Sequence, residues 1–218
     1  MKIAIDGPAG AGKSTVARRL ANELNFTYVD SGAMYRALTL KALQQGIDLN
    51  DSSLLEKLAV STDMHFQNQF DGQIIFSDGQ DVTSQIRSPQ VSEAVSVVSA
   101  HPGVRKIMVQ RQQALARACS VVMDGRDIGE FVLPDADFKI FLTASIEART
   151  QRRVREMEKR GYNADVDRIR EEIMARDKLD SQRPVGALRT LPDHIILDTS
   201  KMTEDEVLQV ILDKIRRA

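Results

Sequence analysis

The chain has 218 residues, of which 42% are hydrophobic, enough for one packed domain with small attachments. Its formal net charge is -1, so the whole molecule presents no field that would attract nucleic acid or an anionic membrane. The single cysteine, Cys119, excludes an internal disulfide, and its place before the apolar run 121–123 predicts a buried thiol. No apolar run reaches membrane-spanning length and no secretory leader precedes the first strand, so we expect a soluble, cytoplasmic protein.

The first element is a short apolar strand over 3–6, and the segment that follows it fits the pattern G-x-x-x-x-G-K-[ST] of a phosphate-binding loop. Such loops bind phosphate through backbone N–H groups and the start of the next helix. Lys13 would reach the β- and γ-phosphates, the Ser14 hydroxyl would ligate Mg²⁺, and Thr15 could donate to another phosphate. The expected ligand is therefore a nucleoside triphosphate, bound by Gly7, Pro8, Ala9, Gly10, Ala11, Gly12, Lys13, Ser14 and Thr15.

Strand-like and helix-like segments then alternate, which is typical of a mostly parallel sheet covered by helices on both faces. The fold class predicted is α/β, a doubly wound five-stranded parallel sheet of the P-loop NTPase type. Its strands are expected over 3–6, 26–30, 120–124, 138–143 and 194–198. Its helices are expected over 13–24, 33–44, 144–160, 164–180 and 204–217.

Residues 63–83 interrupt this alternation. The pattern there is extended, and the dipeptides Asp71-Gly72 and Asp78-Gly79 are typical of turns between short strands. We expect a small antiparallel meander beside the main sheet. A polar helical region over 88–118 should follow, with a break at Pro102-Gly103.

Two polar segments follow predicted strands, where ligands gather in sheets of this kind. In Asp30-Ser31-Gly32-Ala33-Met34-Tyr35-Arg36, Ser31 is expected to cap a helix and Arg36 to point toward the carboxyl edge of the sheet. In Asp124-Gly125-Arg126-Asp127, Asp124 is expected to orient the magnesium shell.

A basic helical region extends from Arg149 to Arg183. Because acidic residues dilute it, most of its arginines are expected on solvated helix surface. The break over 159–163 contains Gly161, a candidate hinge for a segment that closes over a triphosphate and presents arginines to it.

The side-chain inventory also bears on the phosphate acceptor. A hydroxyl acceptor usually needs a carboxylate base, whereas a nucleoside monophosphate is already largely ionised at neutral pH and needs arginine clamps instead. The many arginines and few histidines therefore favour a monophosphate. Cytosine recognition needs a carboxylate beside a guanidinium or hydroxyl; Asp127, Arg105 and Ser96 could supply that set, although spacing alone does not select them.

The phosphate loop, the two polar segments and the late stretch Arg176-Asp177-Lys178-Leu179-Asp180-Ser181-Gln182-Arg183 together resemble the bacterial cytidylate kinases over essentially the whole chain. The resemblance implies a core of residues 1–57 and 98–218, a lid at about 152–163, and an inserted nucleoside-monophosphate-binding subdomain over 58–97. It implies transfer of the γ-phosphate of ATP to CMP and dCMP, with Mg²⁺ as cofactor.

The resemblance also implies roles for individual residues. Ser31, Arg36, Arg126 and Arg183 would surround the CMP phosphate, Ser96, Arg105 and Asp127 would read cytosine, and Arg176 and Asp180 would hold the ribose. Arg152 and Arg153 would approach ATP. Lys13, Arg36, Arg126 and Arg183 would stabilise the charge on the transferred phosphoryl group.

Two other functions remain open at this stage. One is a P-loop kinase of the shikimate type, which acts on a hydroxyl. The other is a nucleotide switch that hydrolyses slowly, although the N-K-x-D segment usual in guanine-specific switches is missing from the sequence. We expect only small-molecule partners and a monomer, since no long heptad pattern is present.

Overall fold

The computed structural model of the protein describes residues 1–69, 72–159 and 161–217. Within them the strands are β1 (Lys2–Asp6), β2 (Thr27–Asp30), β3 (Met64–Gln69), β4 (Gly72–Ser77), β5 (Gln80–Asp81), β6 (Val121–Asp124), β7 (Phe138–Thr143) and β8 (Ile195–Asp198). The helices are α1 (Lys13–Leu24), α2 (Ser31–Gln44), α3 (Ser52–Ser61), α4 (Pro89–Val98), α5 (Pro102–Arg117), α6 (Ile146–Lys159), α7 (Val166–Ser181) and α8 (Glu204–Arg216). A 3-10 turn spans Gln85–Arg87, and a π-helical turn spans Ile128–Val132.

The central sheet has five parallel strands in the order β2-β6-β1-β7-β8, which confirms the predicted fold class. Ile5 and Asp30 both lie opposite Asp124 in the strand register. The carboxyl ends of β1, β2 and β6 therefore meet at one edge, where the phosphate loop and both polar segments leave the sheet.

Helices cover both faces of this sheet, and this explains why its inner strands are mostly apolar. Ile3 and Ile5 of β1 pack with Leu20 of α1 and Ile211 of α8. Ala4, which points to the opposite face, packs with Met123 and other residues in a separate cluster.

The predicted meander is a separate antiparallel sheet of order β3-β4-β5. Asp78 and Gly79 connect β4 and β5, and both have the positive φ angles (50° and 79°) that tight hairpins favour. Ile75 of β4 packs in one hydrophobic cluster with Leu38 of α2 and Met108 of α5. Of the other predicted turn, Asp71 lies outside the described residues.

The helical region after the meander has the predicted break. α4 ends at Val98 and α5 begins at Pro102, where the ring suits the first helical position. α3 was not predicted, because its Asp- and Ser-rich start is typical of a loop. It forms because Asp51 caps it, accepting a 3.0 Å hydrogen bond from Leu54 N–H, and because Leu55, Leu58 and Ala59 are buried.

Two local expectations were wrong. Cys119 is exposed, because it lies in the connection between α5 and β6, before the buried strand begins. Ser31 is not the cap of α2; Asp30 is, and its side chain accepts a 2.9 Å hydrogen bond from Ala33 N–H. A carboxylate that ends a strand can cap the next helix directly when no residue separates the two elements.

The lid region also differs slightly from the expected boundaries. α6 begins at Ile146 and ends at Lys159, and α7 begins at Val166. Gly161, between them, has a left-handed φ of 78°, which favours glycine. Arg160 lies outside the described residues.

Among the helices of the described ranges, none is long and apolar enough to cross a membrane.

Candidate active site

The phosphate loop joins β1 to α1 and depends on glycine for its shape. Gly10 and Gly12 have φ angles of 75° and 90°, and a side chain on Gly7 would collide with the carbonyl of Leu142. Lys13 is the first residue of α1, and its ammonium group donates a 2.9 Å hydrogen bond to the Pro8 carbonyl across the loop. Burial, with the nearby charge of Arg126, lowers the Lys13 pKa to about 7. The predicted loop is thus a closed turn with a poorly solvated cation.

Oxygen donors suited to a hard divalent cation lie beside this loop. The Ser14 hydroxyl donates a 2.8 Å hydrogen bond to one carboxylate oxygen of Asp124, and the Tyr28 hydroxyl donates a 2.8 Å bond to the other. Burial and the neighbouring charge of Asp30 raise the pKa of Asp124 to about 6. No group of three or more His, Cys, Asp or Glu side chains that could hold a metal occurs in the described residues. The donor set therefore fits Mg²⁺, which usually keeps its waters and phosphate ligands, better than a metal held wholly by protein.

Arg152 and Arg153 are neighbours on α6 but face different groups. Arg152 donates a 3.0 Å hydrogen bond to the hydroxyl of Thr199, which itself donates at 3.3 Å to the Ala11 carbonyl of the phosphate loop. Arg153 pairs with Glu156 at 2.9 Å, and its charge adds to the burial and to the charge of Arg126 that lower the pKa of Arg176 to about 10. Of these two arginines, Arg152 is the one joined to the phosphate loop, through the Thr199 hydroxyl.

Three arginines of the predicted acceptor site converge on one carboxylate. Asp180 is fully buried; it pairs with Arg126 at 2.8 Å, with Arg176 at 3.9 Å, and with Arg183. Burial alone would raise the pKa of Asp180, but the three guanidinium groups hold it below its usual value. We call these four residues the acceptor cluster. It carries an excess of positive charge in a poorly solvated place.

Arg105 and Asp127 form a second buried pair next to this cluster. Arg105 also donates a 3.2 Å hydrogen bond to the Ser99 carbonyl and lies 5.7 Å from the ring centroid of Tyr35. Gly186 packs so closely on the pair that a side chain there would collide with both partners. The carboxylate and guanidinium predicted to recognise a base are therefore adjacent, and Ser96 is buried on the neighbouring helix α4.

Arg36 and Ser31 of α2 connect this helix to other segments. Arg36 donates hydrogen bonds to the Ile86 carbonyl at 3.2 Å and to the Ser92 hydroxyl at 2.9 Å. Burial and the charges of Arg176 and Arg87 lower its pKa well below the ordinary value. The Ser31 hydroxyl donates a 2.6 Å hydrogen bond to the Asp124 carbonyl, so it connects α2 to the end of β6.

Several guanidinium groups retain unused hydrogen-bonding capacity. Among the described residues, the buried Nε atoms of Arg105, Arg176 and Arg183 have no hydrogen-bond partner. Unpaired buried donors are costly and rare in folded proteins. A bound anion or base would supply acceptors at this place.

Sequence reasoning missed three residues that support the site. Tyr28 lies within an apolar strand and gave no signal. Asp30 both caps α2 and pairs with Arg87 at 2.7 Å. Arg149 is buried against the phosphate loop, although the charge pattern placed it with solvated arginines. Its place in the first turn of α6 was no usable signal, because the helix predicted over 144–160 put Arg149 beyond the first turn.

The fold and this site define a class first: a phosphate-loop nucleotide-binding protein with a second basic site facing the loop. Two solved structures share the fold. An uncharacterized protein from Eubacterium ventriosum has a TM-score of 0.55 and 16% identity, with 100% of this chain and 99% of that chain covered. A shikimate kinase from Bacteroides thetaiotaomicron has a TM-score of 0.50 and 12% identity, with coverages of 99% and 98%. At such low identity they show the fold alone.

Sequence comparisons specify the family. The family described as cytidylate kinase matches residues 3–217. Proteins named cytidylate kinase from Bacillus pumilus and Geobacillus thermodenitrificans are 51% and 50% identical, covering 98% and 97% of this chain and 95% and 94% of their own lengths. The chain belongs to the cytidylate kinase family.

Proposed function

We propose that this protein is a cytidylate kinase that transfers the γ-phosphate of ATP to CMP and dCMP, producing ADP and the corresponding diphosphate. The observation that carries the proposal is the acceptor cluster, where Arg126, Arg176 and Arg183 surround Asp180 next to the buried Arg105–Asp127 pair. Family membership and the phosphate loop support the same conclusion.

The donor site in this proposal is the phosphate loop, Gly7 to Thr15, with Arg152 at its edge. Lys13 would contact the β- and γ-phosphates, exchanging the Pro8 carbonyl for phosphate oxygens. Mg²⁺ would be held by the Ser14 hydroxyl, with Asp124 orienting its water shell, and would neutralise charge on the phosphates. The contact of Ser14 with Asp124 fits this division of roles.

The acceptor site would hold the phosphate of CMP among Ser31, Arg36, Arg126 and Arg183. Asp127, Arg105 and Ser96 would recognise cytosine, and Arg176 and Asp180 would hold the sugar. Because the CMP phosphate is already largely ionised at neutral pH, transfer needs no base; it needs cations that bring two anions together. The arginines would supply this, and with Lys13 they would stabilise the charge on the moving phosphoryl group.

Larger parts of the chain would assist. Residues 58–97 would be the insert that closes over CMP, and residues around 152–163, including Arg153, would be the lid over ATP. Arg36 supports the first assignment, because it already bonds to Ile86 and Ser92 of that insert. We further propose that the protein works in the cytoplasm as a monomer on small molecules only, without nucleic acid or membrane.

The test is a coupled ADP-release assay with Mg-ATP and, in separate reactions, CMP, dCMP, UMP, AMP, shikimate or no acceptor. We expect rapid turnover with CMP and dCMP, and background rates with shikimate and without acceptor. Turnover with shikimate but not CMP would favour the hydroxyl kinase, and slow acceptor-independent hydrolysis would favour the nucleotide switch.

A further inference from the structure

Arg149 contacts both the phosphate loop and α7, the helix that carries Arg176 and Asp180 of the acceptor cluster. Its Nη1 donates a 3.1 Å hydrogen bond to the Ala9 carbonyl of the loop and pairs at 2.5 Å with Asp177 of α7. Its Nε donates a 3.0 Å hydrogen bond to the Ala144 carbonyl, just before α6 begins. Only 8% of the residue is exposed. The guanidinium group is thus held by the Ala144 carbonyl and bonded to two further segments, the phosphate loop and α7.

The contact with the Ala9 carbonyl also orients the N–H group of the next residue, Gly10. A peptide unit is planar and trans, so the direction of the Ala9 carbonyl sets the opposite direction of the Gly10 N–H. Gly10 also rests directly on Arg149, because a β-carbon there would lie 3.1 Å from the Arg149 β-carbon. Arg149 therefore orients one of the loop amides on which phosphate binding of this kind depends.

The contact with Asp177 leads to the acceptor cluster. Asp177 follows Arg176 and precedes Asp180 by less than one helical turn on α7. Its other carboxylate oxygen, Oδ1, is buried and has no hydrogen-bond partner in the part of the chain that the structure describes. The Asp177 side chain is 24% exposed, so loss of its bond to Arg149 would leave a poorly solvated carboxylate, and the position of α7 near Asp177 therefore depends on Arg149.

We propose that Arg149 is a positioning residue that connects the ATP loop to the CMP-binding helix, so that Asp177 influences ATP binding although it lies outside the loop. This inference rests on the proposed function for the identity of the two ligands. A planar guanidinium suits the role, because it can bond to two acceptors in fixed directions, which a lysine ammonium on a flexible stem does not do.

The structure offers a matched control. Glu147 of α6 and Arg170 of α7 form another ion pair between the same two helices, at 3.4 Å, with both side chains more than half exposed. If Asp177→Asn acted only by weakening the attraction between α6 and α7, Glu147→Gln should lower the affinity for the ATP analogue as well. Of these two variants, only Asp177→Asn should change the geometry of the phosphate loop.

The experiment measures binding of a non-hydrolysable Mg-ATP analogue by calorimetry, without CMP, in the wild type, Asp177→Asn, Arg149→Lys and Glu147→Gln. We expect analogue affinity to fall about tenfold or more in the first two variants, as for loss of a hydrogen bond to a charged group, and to stay at the wild-type value in the control. The backbone amide resonance of Gly10 should shift in the same two variants only. Circular dichroism and thermal unfolding establish that each variant is folded.

The outcomes separate the two proposals. Wild-type analogue affinity and an unmoved Gly10 resonance in folded Arg149→Lys or Asp177→Asn would overturn the positioning role, whatever the acceptor is. Failure of the wild type to phosphorylate CMP would overturn the proposed function, while the binding measurement would still decide the role of Arg149. In turnover assays we expect both variants to raise KM for ATP and for CMP together.

Discussion

The phosphate loop and the acceptor cluster both bring positive charge to an anion, but they are built differently. The loop takes its parts from consecutive residues, and its shape depends on glycines with positive φ and on the start of α1. The acceptor cluster takes Arg126 from the segment after β6, Arg176 and Asp180 from α7, and Arg183 from the segment after α7. Backbone geometry makes the first site, and convergence of distant side chains makes the second.

The two sites also differ in how they tolerate being without ligand. Lys13 bonds to a carbonyl of its own loop, so it has a neutral partner. The arginines of the cluster instead share Asp180, which holds three like charges together at one point. Like charges in a poorly solvated place repel strongly, so Asp180 serves as an internal counter-ion. In the absence of ligand, the phosphate loop is therefore stabilised by a hydrogen bond within the loop, and the acceptor cluster by ion pairs with the buried Asp180.

The largest effect that would separate the two sites is expected from Arg126→Met. If the cluster stabilises transferred charge, kcat with CMP should fall about 100- to 1000-fold while ATP-analogue affinity stays near the wild-type value. The fold should survive, because Asp180 keeps Arg176 and Arg183 as partners. Steady-state kinetics measures kcat, calorimetry measures the affinity for the ATP analogue, and circular dichroism shows whether the fold is retained.

Arg189→Met is the control for this prediction, since Arg189 pairs with Glu130 and is mostly exposed. It should leave turnover unchanged. Near-normal turnover in both Arg126→Met and Arg183→Met would remove the acceptor clamp and leave only the phosphate loop as a functional site.

A smaller effect is expected from Asp127→Ala. Cytosine has an amino group where uracil has a carbonyl, so loss of the carboxylate should lower the preference for CMP over UMP by about 10- to 100-fold. The ratio of kcat/KM values for the two substrates measures it. Asp135, an exposed carboxylate paired with Lys2, provides the control Asp135→Ala. An unchanged ratio in Asp127→Ala would contradict base recognition by this residue.

The smallest effect concerns the protonation of Lys13. Its pKa in the free protein is lowered to about 7. Phosphates beside the ammonium group should raise this pKa again, so binding should take up a fraction of a proton above pH 7 and less at pH 6, where Lys13 already carries its proton. Calorimetry of ATP-analogue binding in buffers of different ionisation enthalpy measures this uptake.

The variant Lys13→Met isolates this contribution, because it lacks the titrating group. Its proton uptake at pH 8 should be lower than that of the wild type. Equal uptake in both proteins would show that the protons bind elsewhere and that Lys13 is charged in the free loop.

The sequence predicted the elements around the main sheet well, and α1 and β7 match their expected ranges to the residue. It did so because buried parallel strands are apolar throughout and amphipathic helices have a clear period. It missed α3, whose polar start is typical of a loop, and it placed Cys119 inside although the residue lies in an exposed connection. These are places where the tertiary arrangement, and not local pattern, decides burial.

What the sequence determined by itself was the phosphate loop and the parallel α/β fold, because both follow from residues close together along the chain. Only the tertiary structure decided that Asp30 rather than Ser31 caps α2, and that Arg149 contacts the phosphate loop while Arg153 pairs with Glu156 of its own helix. It also decided that Asp180 forms ion pairs with three arginines. The orientation of a long charged side chain depends on which segments pack around it, and that information becomes available only when the chain is folded.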